Sequence, residues 1–480
     1  MQSKVLLITT SFEGIKENKI AETSEEMHYP LGLAYLHSYL ESKKHQVECL
    51  ALNHKTKEVC LKEIIKRLEI FSPELVGFQV LTSTRVSTYE AIDYLIKHFP
   101  KIKIVLGGIH ATIMHKQLIE KYPQTLVVLG EGEVTMHELA IELKKKRPSF
   151  KKIDGLAYSL KGKAVRNKKR ELIKDLDSLP FPNHKDFLTD KKRKMASILT
   201  SRGCFFACSF CCLNPEARRI VRVRSPKNVV DEIEYILQSF SQIEKIFIRD
   251  DSFFVDNVRV IEICKEIIKR KIKINLVCSG RMKPLSKEMI GYLEKAGFKE
   301  VLLGLESGDE GILKKCHKGI TQKDVINAFT LFSKSSITVR IFLIVGLPGE
   351  TFETIKETAR LVKKIQRIKY FPMIDDFNLL TIYPGTEVYE IAKQKKFIDD
   401  SYWLTNKPTP LYLAENNLRD LSLFKEYLST NLSVYKIFTL EGFKAQYKMM
   451  PFALKYFIKK AKSFKVIITF AKNFLNAQKK

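Results

Sequence analysis

The sequence predicts an α/β protein built in four parts. These are a doubly wound parallel sheet over residues 1–146, a linker with a hairpin over 147–195, a partial (β/α)6 barrel over 196–395, and a basic helical C-terminal region over 396–480. Three observations predict it. Short apolar runs alternate with amphipathic stretches through the first third, the pattern of strands buried on both faces between helices. The alternation stops in a proline-containing stretch with no helical period, and then resumes. Past 396 the strand pattern fades and helical composition takes over.

The first strand is read at 4–10 (KVLLITT), and a helix follows at 30–42, where Pro30 suits the first turn. Strands at 46–52, 75–81, 102–106 and 126–129 are separated by helices at 57–71, 85–98, 114–122 and 134–146. Ligands of such sheets bind beyond the carboxyl ends of the strands. Those ends carry Thr9-Thr10, Thr82-Ser83-Thr84, Gly107-Gly108 and Gly130-Glu131-Gly132-Glu133. None is a GxGxxG loop, which disfavours a dinucleotide. IDGLAYSLKGKAVRN reads as a hairpin turning at Lys161-Gly162-Lys163, and LDSLPFPNHKDF as a connector packed between domains. The second series has strands at 196–200, 245–249, 274–278, 300–305, 338–345 and 377–382, with helices at 226–239, 257–270, 286–296, 322–335 and 351–367. These are too few units for a closed eight-unit barrel and fit an open one with its ligand at the strand C-termini.

Lys and Arg number 82 against 54 Asp and Glu, a net charge of +28. Such a surplus suits an anionic partner (nucleic acid, acidic lipid or phosphorylated metabolites), but it also arises when helix faces are simply lysine-rich, as at Lys265-Glu266-Ile267-Ile268-Lys269. The start is no secretory signal, and no run approaches the roughly 20 apolar residues of a membrane span. A cytoplasmic location is therefore expected, where the nine cysteines would not pair as disulfides.

Four of those cysteines lie within 204–212. Cys204, Cys208 and Cys211 form C-x3-C-x2-C just after the first strand of the second series, with Phe210 before the last of them. Three thiolates from one loop can each bind one iron of a cubane cluster and leave the fourth iron without a protein ligand. An amine and a carboxylate of a co-substrate can chelate that iron. Cys212 is adjacent to Cys211, and neighbours on a tight loop rarely both reach one metal. The bland alternative is a zinc knuckle, but its usual second CxxC or HxxxH pair is missing.

This spacing, with the aromatic, resembles the signature of the radical S-adenosylmethionine (SAM) superfamily. The resemblance implies a [4Fe-4S] cluster on Cys204, Cys208 and Cys211, and SAM contacts from Phe210, Asp250, Asp251, Arg281, Glu306, Ser307 and Gly346. Asp250 and Asp251 stand in Arg249-Asp250-Asp251-Ser252-Phe253, where relatives carry a GGE motif; they could accept the SAM ammonium or simply cap a helix. Arg281 could pair with the SAM carboxylate. Glu306 and Ser307 end the fourth strand, Gly346 lies in IVGLPGE, and Tyr383-Pro384-Gly385-Thr386 resembles the ending of the family's sixth strand. The implied chemistry is one-electron cleavage of SAM to methionine and a 5′-deoxyadenosyl radical, fed by an external reductant of flavodoxin or ferredoxin type.

Over roughly residues 1–395 the layout resembles the cobalamin-binding radical SAM subgroup, with its flavodoxin-like domain before the barrel. HYPLGLAYLHSYL, LTSTRVSTYEA, VLGGIHATIMH, VVLGEGEVTMHEL and KDLDSLPFPNHKDF carry that likeness. It implies a cobalamin lined by Thr10, Leu31, Gly32, Thr82, Ser83, Thr84, Gly107, Gly108, His110, Gly130 and Glu131. Two adjacent glycines let backbone approach a bulky ring, although a plain turn needs only one. The DxHxxG motif of classical cobalamin domains is missing, and His28 sits in the corresponding loop with one residue too many; because the subgroup it resembles often binds cobalamin without a His, His28 is not expected to ligate cobalt.

The expected activity is methylation of an unactivated carbon or phosphinate on a small-molecule or lipid-like substrate. Cyclisation, rearrangement or another non-methylating radical reaction is the alternative. A non-enzymatic metal-binding module on nucleic acid is a third, less expected reading. A methylthiotransferase is disfavoured, because Cys49 and Cys60 do not form the extra cluster such enzymes need. Residues 443–475 interleave Lys with Phe, Ile, Leu and Met, the composition either of an interfacial helix on anionic lipid or of a helical cap over the barrel mouth.

Overall fold

A computed structural model describes residues 2–15, 29–213, 219–369, 371 and 377–432. The first sheet is built from β1 (Lys4–Thr9), α1 (Leu31–Ser42), β2 (Gln46–Ala51), α2 (Lys57–Phe71), β3 (Leu75–Gln79), α3 (Arg85–His98), β4 (Lys103–Gly107), α4 (Ile109–Ile113), α5 (His115–Lys121), β5 (Leu126–Val128), α6 (Glu133–Glu142), β6 (Leu156–Leu160) and β7 (Lys163–Arg166). Its strand order is β2-β1-β3-β4-β5-β6-β7. The first five strands are parallel. Val5 to Ile8 of β1 are buried, as expected of a central strand with helices on both faces.

Two sequence expectations change here. The hairpin at 156–166 does not lie in a free linker; β6 pairs antiparallel with β5 through Leu126↔Tyr158 and Val127↔Ala157 and so extends the first sheet. The physical reason is the edge of β5, whose unpaired backbone groups and apolar face are covered by buried Leu156, Ala157 and Tyr158. The helix expected at 114–122 is α5, and a further short helix that was not expected, α4, precedes it across Met114.

After α7 (Lys185–Leu188) the second series runs β8 (Met195–Ile198), β9 (Ser201–Arg202), β10 (Arg222–Val223), α8 (Pro226–Ser239), β11 (Lys245–Ile248), α9 (Asn257–Lys269), β12 (Asn275–Gly280), α10 (Lys287–Lys295), β13 (Phe298–Glu306), α11 (Glu310–Lys315), α12 (Gln322–Phe332), β14 (Thr338–Val345), α13 (Phe352–Ile368), β15 (Phe377–Leu379), α14 (Glu387–Gln394) and α15 (Leu418–Leu432). Strands β8, β11, β12, β13, β14 and β15 form one parallel sheet in sequential order, an open arc of six βα units. Helices α11 and α14 and the short β9–β10 bridge were not legible in the apolar pattern.

The connector between the sheets is held by a buried polar chain. Tyr29 Oη donates to the Ser197 carbonyl at 3.0 Å and lies 2.7 Å from His184 Nδ1; His184 Nε2 meets Glu232 Oε1 at 2.8 Å, and Glu232 also pairs with Arg224. His184 and Glu232 are fully buried. Glu232→Ala strands a buried guanidinium and imidazole, and should lower stability by about 3–5 kcal/mol in urea unfolding.

Between 396 and 417 the chain is less helical than expected. A 3₁₀ turn at Asp400–Leu404 precedes an irregular run that crosses back to the first sheet, and only α15 follows among the described residues. There Trp403 is fully buried beside Tyr389 and His110, and Tyr89 Oη donates to its carbonyl. The basic stretch 443–475 and His28 lie outside the described residues.

Candidate active site

The cysteine loop starts where β8 ends, and neighbouring strand ends hold it. Asp250, two residues past β11, accepts from Thr200 N (2.6 Å), Thr200 Oγ1 (2.5 Å) and Ser201 Oγ (2.6 Å). Its carboxylate is committed to shaping the loop, which leaves Asp251 as the acid facing outward. Among the described residues Asp251 accepts only the long 3.2 Å bond from Gly203 N–H. Downstream, Ser209 N–H donates to the Cys316 carbonyl (3.0 Å) and Val388 N–H to the Ser209 carbonyl (3.1 Å). The loop is therefore held by the Asp250 carboxylate at its start and by two backbone bonds at Ser209.

The three predicted thiols act on one another electrostatically. Burial pushes Cys211 up to about 12, and Cys208, Asp251 and Cys204 add to the shift. Burial also raises Cys204, while the Arg281 guanidinium opposes it. Such thiols suit a cationic cluster, which takes the thiolate form outright. Cys212 Sγ instead approaches the Pro384 carbonyl, 4.0 Å away.

Arg281, one residue past β12, supplies the second half of the site. Its Nη1 donates to Cys208 Sγ at 3.3 Å, and its guanidinium lies 3.6 Å from the Phe206 ring centroid. The side chain is buried, yet Nε and Nη2 find no partner among the described residues. Orphaned guanidinium N–H groups beside three thiols fit a carboxylate held at an under-coordinated iron. Glu306 is differently placed: it forms a 2.7 Å ion pair with buried Lys318, whose Nζ lies 5.9 Å from the Phe210 ring centroid. Glu306 has φ +69°, a costly conformation for a glutamate, and a Cβ on Gly304 would come within 2.5 Å of Glu306 Oε1. Lys318 was not anticipated, since one lysine in a short loop after a helix carries no sequence signal. Ser307 and Gly346 shape turns: Ser307 Oγ accepts from Asp309 N–H at 3.2 Å, and Gly346 N–H donates to Glu350 at 2.5 Å.

A cavity of about 340 Å³ lies between the first sheet and this loop. Its lining includes Gly32, Gly107, Gly108, Gly130 and Glu131 of the anticipated set, with Asp251 and Gly203 on the cysteine-loop side. A backbone wall open to a broad flat group fits the corrinoid that the resemblance implies. The other anticipated residues lie elsewhere. Leu31 packs into the core of the second sheet. Thr10 Oγ1 bonds Thr84 and Thr88. Thr84 Oγ1 accepts from Leu81 N–H, and the Ser83 carbonyl accepts from Glu13 N–H. Thr82 Oγ1 lies 3.1 Å from His110 Nδ1. Burial and nearby Arg85 push His110 down to about 3, so it is a neutral core histidine against Trp403. The chain from Trp403 to Thr409 packs against Arg85, Tyr89 and His110, an arrangement that no local pattern reveals.

Glu131 reaches across the cavity rim. Its carboxylate takes Arg202 Nη1 and Arg222 Nη1, each at 2.8 Å, and Arg202 Nη2 also meets Glu133 at 2.7 Å. Burial opposes ionisation of Glu131, but the two arginines outweigh it and hold its carboxyl below the usual range. Arg202 stands two residues before Cys204, so the ion cluster ties the stem of the cysteine loop to the first sheet. Glu131→Gln leaves two guanidiniums with one ionised carboxylate. It should cost about 2 kcal/mol and speed loss of iron to a chelator, read by calorimetry and absorbance.

Comparison with known proteins adds relatives to this geometry. Residues 198–362 match the Radical SAM superfamily, and residues 18–140 match the B12 binding domain. An uncharacterised methyltransferase of Pyrococcus horikoshii is 29% identical over 405 residues, covering 83% of this chain and 85% of its own. The anaerobic magnesium-protoporphyrin IX monomethyl ester cyclase of Rubrivivax gelatinosus is 26% identical over 77% of this chain and 67% of its own. Among solved structures, the cobalamin-dependent S-adenosylmethionine radical enzyme OxsB, with aqua-cobalamin and S-adenosylmethionine bound, superposes with a TM-score of 0.73 at 20% identity. That match covers 100% of this chain and 75% of OxsB and concerns the fold.

Proposed function

Because the chain belongs to the radical SAM superfamily and carries a B12-binding domain, we propose that it is a cobalamin-dependent methyltransferase acting on an unactivated position of a small molecule. The observation that carries this reading is the shared wall. Gly203 of the cysteine loop, and Asp251 past β11, which accepts from Gly203 N–H, both line the glycine-walled cavity.

In this reading Cys204, Cys208 and Cys211 hold the [4Fe-4S] cluster. Arg281 takes the SAM carboxylate through its unpaired N–H groups, and Asp251 takes the ammonium. Gly32, Gly107, Gly108 and Gly130 let the corrinoid lie close to backbone. When bound, the cluster supplies the electron that cleaves SAM, and the corrinoid carries the methyl group. The protein binds, orients and excludes water. The reaction balances with two SAM and two electrons from an external reductant of flavodoxin or ferredoxin type. The substrate hydrogen leaves on 5′-deoxyadenosine with methionine, and the methyl arrives from the second SAM, leaving S-adenosylhomocysteine.

The cyclase among the relatives supports a second reading, ring formation without net methyl transfer. Anaerobic turnover with methyl-deuterated SAM separates the two. Matching amounts of 5′-deoxyadenosine and S-adenosylhomocysteine, with label in the product, are expected of methyl transfer. 5′-Deoxyadenosine alone would replace that reading with the second. Among the described residues no helix is long and apolar enough to cross a membrane.

A further inference from the structure

At the edge of the first sheet, three side chains of metal-binding type converge from separate elements. His37 lies on α1, Cys49 on the edge strand β2, and Asp186 on α7 of the connector. One ligand atom from each lies within 4.8 Å of the other two. His37 is buried, Cys49 is half-buried and Asp186 is exposed. All three face a cavity of about 670 Å³, which Glu41 and Asn183 also line. That cavity shares no residue with the glycine-walled one. The three donors are poorly used by the protein itself. Asn183 Nδ2 lies 3.0 and 3.1 Å from the two ring nitrogens of His37. The lone pairs of those nitrogens diverge, so one amide at nearly equal distances aligns with neither. Among the described residues, Cys49 Sγ has only the Leu33 carbonyl, 4.0 Å away. Asp186 Oδ2 lies 3.1 Å from His37 Nδ1, and a Glu41 carboxylate oxygen lies 4.0 Å from Nε2. An imidazole and an exposed carboxylate make only a weak pair. With a thiol brought to the same point, they make three corners of a coordination sphere.

We propose that His37, Cys49 and Asp186 bind a zinc ion. One nitrogen, one sulfur and one oxygen form a donor set that zinc accepts, whereas magnesium and calcium take oxygen alone. Three protein ligands leave the fourth tetrahedral position to a water from the cavity. Nδ1, the ring nitrogen facing Asp186, is the one that binds. Glu41 then stands on the Nε2 side, where it receives that N–H and fixes the ring. The thiol proton leaves to solvent as the zinc–sulfur bond forms, and no electron is transferred. The ion ties α7 of the connector to α1 and β2, two residues past His184 of the buried polar chain. It is a clamp on the join between the two sheets, and it rests on neither the SAM nor the corrinoid reading.

The test uses the full chain, reconstituted anaerobically with iron and sulfide so that the cysteine loop is filled, then dialysed against zinc chloride and desalted. Metal analysis should find one zinc per chain in addition to the iron. X-ray absorption at the zinc edge should show a single sulfur among nitrogen and oxygen neighbours. Cys49→Ser should keep its iron and lose that sulfur neighbour. Asp186→Asn, a change at an exposed position, should weaken zinc binding at least about tenfold, since even the partners of metal ligands are worth that much. It should also shrink the rise in Tm that zinc gives the wild type. A wild type that retains no zinc would overturn the proposal, as would zinc with three or four sulfur neighbours, which places it in the cysteine loop. If Cys49→Ser does not fold, Asp186→Asn decides. Weakened zinc binding there supports the clamp, and unaltered binding refutes it.

Discussion

Cys208→Ala is expected to lower 5′-deoxyadenosine formation at least about a thousandfold, ~4 kcal/mol in barrier terms, in protein that still folds. The thiol is half-buried, and no strand or helix depends on it. The loop around it is held by Asp250 and by the backbone bonds of Ser209 to Cys316 and Val388. The substitution removes one of three cluster ligands and the acceptor of the Arg281 bond together. Cys212→Ala is the control, since that sulfur faces the Pro384 carbonyl. Normal SAM cleavage by the Cys208 variant, measured by chromatography after anaerobic reconstitution, would reject the site.

The second large effect belongs to the glycine wall. Gly107→Phe should weaken corrinoid binding at least about a hundredfold, ~2.7 kcal/mol, while iron content stays at the wild-type value. A Cβ at 107 would have only the Val128 carbonyl near it, 4.0 Å away, so the side chain grows into the cavity without straining the fold. Gly108 is a poorer probe. It has φ +89°, and a Cβ there would come 2.9 Å from the Val80 carbonyl, so any replacement disturbs backbone as well. Retained corrinoid absorbance in the Gly107 variant, after desalting, would show that the ring binds elsewhere.

The apolar rhythm made most elements legible, because parallel strands buried on both faces leave an unambiguous signature. The spacing of the three cysteines and the glycine pair pointed to the two chambers. Side-chain partners were not legible, because they are made across long sequence separations. Asp250 and Asp251 read alike in sequence, but one is consumed by Thr200 and Ser201 and the other faces the cavity. Thr82, Thr84 and His110 read as ligand contacts because they follow strand ends; Thr84 instead bonds Leu81, Thr82 meets His110, and Trp403 from far along the chain packs on His110.

The Glu131–Arg202–Arg222–Glu133 cluster makes the stem of one chamber the rim of the other. A shared support of this kind implies thermodynamic reciprocity. By whatever factor metal loading at the cysteines tightens the corrinoid, the corrinoid must tighten the metal by the same factor. A factor above one makes loading cooperative in either order and depletes both half-loaded forms relative to independent loading.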